Sequence, residues 1–188
     1  MALSQNKQKP VLKNKNQILT VAKIIGAVVF ICVCAQISFG LPGGVPFSGQ
    51  SLAVLAVAIA MGFYQSIIVV AAYLLLGALG LPVFAGGSYG IEHFSNPFAG
   101  YLFGFLVAAA VVGWLKEKGF DTTYWKNFVA FLIGHTIILA LGTIKIYFQR
   151  DWPTAWVYGL KPFLIAAVIK SLLGALIMPI YYQTKEDW

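Results

Sequence analysis

The sequence is poor in charge. Only 10% of its 188 residues are Asp, Glu, Lys or Arg, whereas hydrophobic residues make up 60%. A soluble domain carries about 25% charged residues, so this chain has too little polar surface to cover a globule. Between Lys23 and Glu92 there is no charged residue at all. The composition therefore excludes a soluble globular protein and predicts an integral membrane protein.

Other absences exclude classes of activity. No G-x-x-x-x-G-K-[ST] pattern occurs, so the chain does not itself hydrolyse ATP through a P-loop. Cys32 and Cys34 would point about 200° apart on a helix, which predicts neither a disulfide nor a zinc site. The two histidines are His93 and His135, and no serine or cysteine has the context of a catalytic nucleophile. We therefore expect no enzyme, no metal and no cofactor.

The net charge of +7 is concentrated at the N-terminus. Five of the thirteen basic residues are Lys7, Lys9, Lys13, Lys15 and Lys23. They adjoin an apolar run, which is typical of a cytoplasmic membrane flank and not of a nucleic-acid site. We predict a basic cytoplasmic tail over residues 1–17 and a transmembrane domain over 18–183. The first apolar run resembles a signal peptide, but we expect it to remain as a span.

The apolar runs are Ile18–Phe39, Leu52–Leu79, Phe98–Leu115, Phe128–Phe148 and Pro162–Tyr182. One span needs about 20 residues, and Leu52–Leu79 is longer than that. Its middle, Gly62–Ser66, is polar and begins with glycine. It could be a turn between two short helices of about 14 residues each. The chain thus has either five spans or six.

The charges after the Phe98–Leu115 run decide between these counts. Lys116, Lys118 and Lys126 lie on the side of the basic N-terminus if there are six spans, and on the opposite side if there are five. Only six spans satisfy the positive-inside rule. We therefore predict an all-α integral membrane protein. It is a six-helix transmembrane bundle with short helices 2 and 3 and with both termini cytoplasmic.

Three segments face outside in this topology: Gly40–Gln50, Gly80–Pro97 and Gln149–Lys161. The first two contain many glycines and prolines and cannot continue a helix. They are nevertheless apolar and aromatic. We interpret them as lid loops over a cavity at the outer face. The alternative is that they plug the membrane interface without binding a ligand.

Lys170 is the most informative polar residue, because it lies inside the last apolar run. A central lysine costs about 2.5–3.5 kcal/mol on insertion scales and normally faces a cavity or an anion. Snorkelling toward the outer side is the alternative. Gln50 either caps the second helix or enters the cavity, and we interpret His135 as an interhelical hydrogen bond. One buried cation in an aromatic pocket suits a small, partly apolar organic anion.

Four segments carry recognisable motifs. They are Pro46–Leu52 (PFSGQSL), Gly77–Gly87 (GALGLPVFAGG), Asn96–Leu102 (NPFAGYL) and Gly159–Phe163 (GLKPF), with Lys170 after the last. Together these motifs resemble the signature elements of the BioY family. Its members are the biotin-binding S-components of energy-coupling-factor (ECF) transporters.

This resemblance implies that biotin binds near the outer face, under the loops after the first and third helices. It implies a substrate-recognition lysine at Lys170, a signature tyrosine at Tyr101 and a binding glutamine at Gln50, and Phe84 lies in the central signature. It also implies a transmembrane T-component and two cytoplasmic ATPases as partners, in a bacterial cytoplasmic membrane.

The sequence departs from the family pattern in three places. Ala167 stands where an aspartate is common, Asn96 where glycine is usual and Ser48 where threonine is usual. The missing carboxylate leaves open how the ureido ring of biotin would be held. Our hypothesis from loop placement is that Glu92 or His93 substitutes for it.

We therefore expect this chain to capture extracellular biotin and to deliver it inward with ATP-driven ECF partners. An S-component for another vitamin is the nearest alternative. An intramembrane hydrolase or transferase would need an activated nucleophile near His93 or His135. A purely structural membrane subunit would bind no small molecule.

Overall fold

The structure is a computed structural model that describes the backbone of residues 9–40 and 46–186, and side chains within 17–40 and 47–176. Most of the predicted N-terminal tail, including Lys7 and the side chains of Lys9, Lys13 and Lys15, lies outside the described residues. So does the 41–45 part of the first lid loop.

Six main helices run through the described part of the chain, as predicted. They are α1 (Lys9–Gln36), α2 (Gln50–Met61), α3 (Phe63–Ala78), α4 (Ala99–Glu117), α5 (Tyr124–Gln149) and α6 (Lys161–Glu186). Helices α2 and α3 are short, with 12 and 16 residues. Among the residues that the structure describes, four segments are long and apolar enough to cross a membrane, namely Gln17–Gln36, Ala99–Glu117, Tyr124–Gln149 and Trp152–Leu176.

Gly62 separates α2 from α3, which settles the count of helices. Its φ of 83° is a conformation that favours glycine. The next residue, Phe63, donates its backbone N–H to the Glu117 carboxylate at 3.1 Å, so a side chain from the end of α4 satisfies a free amide at the start of α3. The turn at Gly62 therefore lies at the same end of the bundle as the α4–α5 connection. We call this the Gly62 end.

The opposite end holds the irregular segments, and we call it the cavity end. Strands β1 (Ser38–Gly40) and β2 (Pro46–Ser48) pair antiparallel, with Phe39 opposite Phe47. The loop after α3 contains two 3₁₀ turns, Ala85–Gly87 and Ile91–Phe94. A short helical turn and the π-helical segment Ala155–Leu160 precede α6. The sequence analysis expected loops here and did not anticipate the hairpin.

Helices α4 and α5 pack closely because small residues line their contact. A Cβ on Gly100 would lie 2.2 Å from the Leu141 carbonyl oxygen, and one on Gly104 would lie 3.0 Å from the Ile138 Cα. Such close backbone approach is how helices associate where lipid removes the hydrophobic driving force. Large side chains fill the remaining core, and Tyr73, Phe131 and Ile31 are fully buried.

We predict that Gly100→Ala destabilises the protein by about 1–3 kcal/mol, because the added methyl group has no space against α5. Thermal unfolding in detergent measures the effect. Gly26→Ala on α1 is the matched control, since its ideal Cβ would meet nothing within 4 Å beyond its chain neighbours and its own helix backbone. The control should leave stability equal or slightly higher. Equal stability of both variants would contradict the close α4–α5 packing.

Candidate functional site

A cavity of about 520 Å³ lies at the cavity end of the bundle. This volume falls within the range of small-molecule sites, about 300–1,000 Å³. The hairpin, the loop after α3 and helices α2, α4, α5 and α6 all contribute to its wall. The residues that carry the argument below are Ser48, Gln50, Phe84, His93, Tyr101, His135, Ala167 and Lys170.

Lys170 projects from α6 across the bundle toward the start of α2. Its Nζ donates to the Ser48 carbonyl oxygen at 2.6 Å and to Ser51 Oγ at 3.1 Å. The ammonium group also lies 4.4 Å from the centre of the Phe47 ring, within reach of a cation–π interaction. The side chain is thus directed into the protein and does not snorkel.

The electrostatic character of the cavity follows from this one ammonium group. No Asp or Glu is among the described residues that line the cavity, and Lys170 is their only lysine or arginine. Its contacts are with neutral oxygen atoms and an aromatic ring, so the positive charge is not neutralised by a carboxylate. In a wall that is mostly apolar, such a charge favours an anionic or strongly hydrogen-bond-accepting ligand.

Gln50 begins α2 and is buried, with 5% of its surface exposed. Its Nε2 donates to the Tyr73 hydroxyl, and its Oε1 accepts from Ser48 Oγ at 3.2 Å. The Tyr73 hydroxyl donates onward to the Val83 carbonyl oxygen at 3.0 Å. This chain of hydrogen bonds ties α2, α3 and the following loop together at the cavity wall. Gln50 therefore both lines the cavity and holds its wall in place.

Phe84 anchors the loop that follows α3. Only 3% of the residue is exposed. Its ring occupies a notch above Gly77, where a Cβ would come within 2.1 Å of the ring. The ring makes edge contacts with Tyr73 and His93, with centroids 5.6 and 5.7 Å apart. Gln36 on α1 donates to the Phe84 carbonyl oxygen at 3.3 Å, which joins the loop to α1.

Tyr101 forms the wall on the α4 side. Its hydroxyl donates to the Gly159 carbonyl oxygen at 2.7 Å, which links α4 to the π-helical segment before α6. The ring lies against Gly142, where a Cβ would come within 2.2 Å of it. It also contacts the Phe163 ring, with centroids 6.1 Å apart. The absence of a side chain at Gly142 makes room for this tyrosine.

The structure brings together five of the six residues that the sequence analysis named. Lys170, Tyr101, Gln50, His93 and Phe84 all line the cavity. Glu92, by contrast, is exposed and is not among the lining residues.

His135 was interpreted as an interhelical hydrogen bond, and that bond is present between α5 and Ser171 of α6. The residue also lines the cavity, which the sequence analysis did not anticipate. A histidine in the middle of an apolar helix was the available signal. The sequence of its helix alone does not show that the residue lines a cavity.

The family model of the BioY family matches residues 6–186. The chain belongs to the BioY family. Among its curated relatives, the biotin transporter BioY2 of Lactococcus lactis is 34% identical over 160 residues, 82% of this chain and 84% of the relative. The biotin transporter BioY of Thermotoga maritima is 38% identical over 148 residues, 78% of this chain and 86% of the relative.

A solved structure shares the fold. It is the crystal structure of the S-component for biotin from an ECF-type ABC transporter, with a TM-score of 0.79 and 25% identity. The match covers 90% of this chain and 94% of the solved chain. The predicted six-helix bundle and the family resemblance are thereby confirmed. The family and its apolar helices make this BioY protein a multi-pass membrane protein.

We predict that Phe84→Ala lowers the free energy of unfolding by about 3 kcal/mol, because it empties the notch above Gly77. Differential scanning fluorimetry in detergent measures the change. Tyr89→Ala is the matched control in the same loop, since 54% of Tyr89 is exposed. A Phe84→Ala protein as stable as the control would show that the ring does not anchor this loop.

Proposed function

We propose that this chain is the substrate-binding membrane component for biotin uptake. The observation that carries the proposal is the cavity itself, which has one ammonium group, apolar walls and no lining carboxylate among the described residues. Biotin combines an anionic carboxylate with a compact, weakly polar bicyclic ring. The named relatives and the solved S-component support the choice of biotin over other small anions.

The residues of the cavity have complementary parts in this proposal. Lys170 donates to an oxygen of biotin, either of the carboxylate or of the ureido group. Phe84 and Tyr101 bound the space for the apolar part of the ligand, and Gln50 keeps the wall between α2 and α3 in place. His93 contacts the ligand from the loop. Glu92, which the sequence analysis offered as the other substitute for the missing aspartate, is exposed and would contact the ligand only after an inward movement of the loop.

Transport requires partners in this proposal. Biotin binds from outside, the loops at the cavity end close over it, and ATP hydrolysis drives its delivery inward. An ECF T-component and two ATPase subunits supply that energy, because the chain has no P-loop of its own. The transmembrane domain covers residues 18–183, and residues 1–17 form a cytoplasmic tail in a bacterial cytoplasmic membrane. This chain carries no catalytic role.

Isothermal titration calorimetry of the purified protein in detergent tests the proposal. We expect saturable binding of biotin at one site, with no heat from thiamin or riboflavin and no competition by either. Binding of another vitamin in place of biotin would assign the chain to a different substrate. If none of the tested vitamins binds, the result would favour a structural subunit. Chemical conversion of a substrate that alanine changes at His93 and His135 abolish would favour an enzyme.

We predict that Lys170→Met weakens biotin binding by at least about 1.5 kcal/mol, or more than tenfold, because a hydrogen bond to a charged group is lost. Lys161→Met is the matched control, since Lys161 is exposed on the same helix. Calorimetric dissociation constants of the two variants are compared with that of the unchanged protein. Wild-type affinity in Lys170→Met would remove this lysine from the site.

We predict that the cavity end faces the outside of the cell, because the basic residues Lys116, Lys118 and Lys126 cluster around the Gly62 end. Two single-cysteine variants, Tyr89→Cys and Thr122→Cys, test this orientation. Each is made in a protein whose own cysteines are removed by Cys32→Ala and Cys34→Ala. A membrane-impermeant maleimide should label Tyr89→Cys in intact cells and Thr122→Cys only after lysis. The reverse pattern would overturn the proposed direction of transport.

A further inference from the structure

His135 lines the cavity, and its buried Nε2 has no hydrogen-bond partner in the protein. The residue lies on α5, is 3% exposed and lines the cavity together with Ala167 and Lys170 of α6. Within the described part of the chain, three buried side-chain N or O atoms lack a hydrogen-bond partner, and one of them is His135 Nε2. The other two, on Asn127 and Thr143, belong to residues that do not line this cavity.

The other ring nitrogen determines what Nε2 can do. Nδ1 lies 3.0 Å from the Phe131 carbonyl oxygen and 3.0 Å from Ser171 Oγ. The Ser171 hydroxyl donates its hydrogen to the Ala167 carbonyl oxygen at 2.7 Å. Both neighbours therefore offer only lone pairs to Nδ1, so Nδ1 carries the hydrogen. In a neutral imidazole with Nδ1 protonated, Nε2 is a hydrogen-bond acceptor.

The neighbouring wall supplies no donor to this nitrogen. Ala167 contributes a methyl group, and Lys170 contributes a donor whose Nζ already contacts Ser48 and Ser51. Leaving a buried acceptor unpaired is unfavourable, so this position selects for a ligand that brings a hydrogen-bond donor. Biotin has an ionised carboxylate and a thioether, neither of which donates, and two ureido N–H groups, which do.

We propose that His135 Nε2 accepts a hydrogen bond from one ureido N–H of biotin, and that His135 is a specificity-determining residue of this site. The inference rests on the proposed function, because it takes biotin as the ligand. Ser171 is a positioning residue in this arrangement: it accepts from Nδ1–H and so orients the ring and selects its tautomer. Because His135 supplies this hydrogen bond, α6 needs no polar side chain at position 167, where Ala167 stands.

The test uses two analogues of biotin, each a cyclic carbamate in which a ring oxygen replaces one ureido N–H. The replacement removes a single donor without adding bulk. Calorimetry gives the affinity of biotin and of both analogues for the unchanged protein. We expect one of the two analogues to bind about tenfold or more weakly than biotin, because it faces Nε2 with a lone pair.

Two polar variants of His135 are the matched pair for this test. In His135→Gln the amide oxygen reaches approximately the position of Nε2, whereas in His135→Asn the shorter side chain reaches only the position of Nδ1. We expect Gln to keep most of the discrimination between biotin and the sensitive analogue, and Asn to lose it together with about tenfold in biotin affinity. Size-exclusion chromatography and thermal unfolding confirm that each variant is folded.

The outcomes separate this inference from the proposed function. If the unchanged protein fails to bind biotin, the proposed function fails first. If it binds biotin but His135→Asn keeps wild-type affinity and discrimination, the role of His135 is overturned and biotin binding stands. Equal binding of biotin and both analogues by the unchanged protein would likewise overturn it. Ser171→Ala adds an independent readout, since loss of the Nδ1 partner should reduce the discrimination severalfold.

Discussion

Lys170 places a positive charge inside an apolar bundle, 122 residues along the chain from the Ser48 carbonyl oxygen that it contacts. An ammonium group in such surroundings needs protein contacts that replace the hydrogen bonds to water that it loses. Here the replacing contacts are a carbonyl oxygen, a hydroxyl and an aromatic face, all at the junction of the hairpin with α2. The positive charge therefore ties α6 to the beginning of α2, and the space beside it becomes the cavity.

The wall of the cavity is organised by hydrogen bonds that use up most of its polar groups. Gln50 is engaged by Tyr73 and Ser48, and the Tyr101 hydroxyl is engaged by Gly159. These bonds hold the helices and loops in register. The ammonium group of Lys170, which has a third N–H, and Nε2 of His135, which has no partner, are two groups of this wall that retain hydrogen-bonding capacity.

The helix count could be read from the sequence, because it depends on local patterns. A glycine with polar residues shortly after it interrupts the long apolar run at Gly62, and the loop lysines near Lys116 fit only one topology. The placement of Lys170 in a cavity was also predictable, since a lysine within an apolar span has few other stable surroundings. The hairpin was missed, because its two short strands depend on pairing across a loop and not on their own residue pattern.

Composition, the spacing of the apolar runs and the family motifs determined that this is a six-helix BioY protein with a lysine inside its last helix. Tertiary structure alone decided which side chains share the cavity. It placed His135 of α5 in the same cavity wall as Lys170 of α6 and left Glu92 of the loop exposed. The physical reason is that composition and residue spacing describe one segment of the chain at a time. The direction of a side chain is decided by the neighbours that pack against its helix, such as Ser171 for His135.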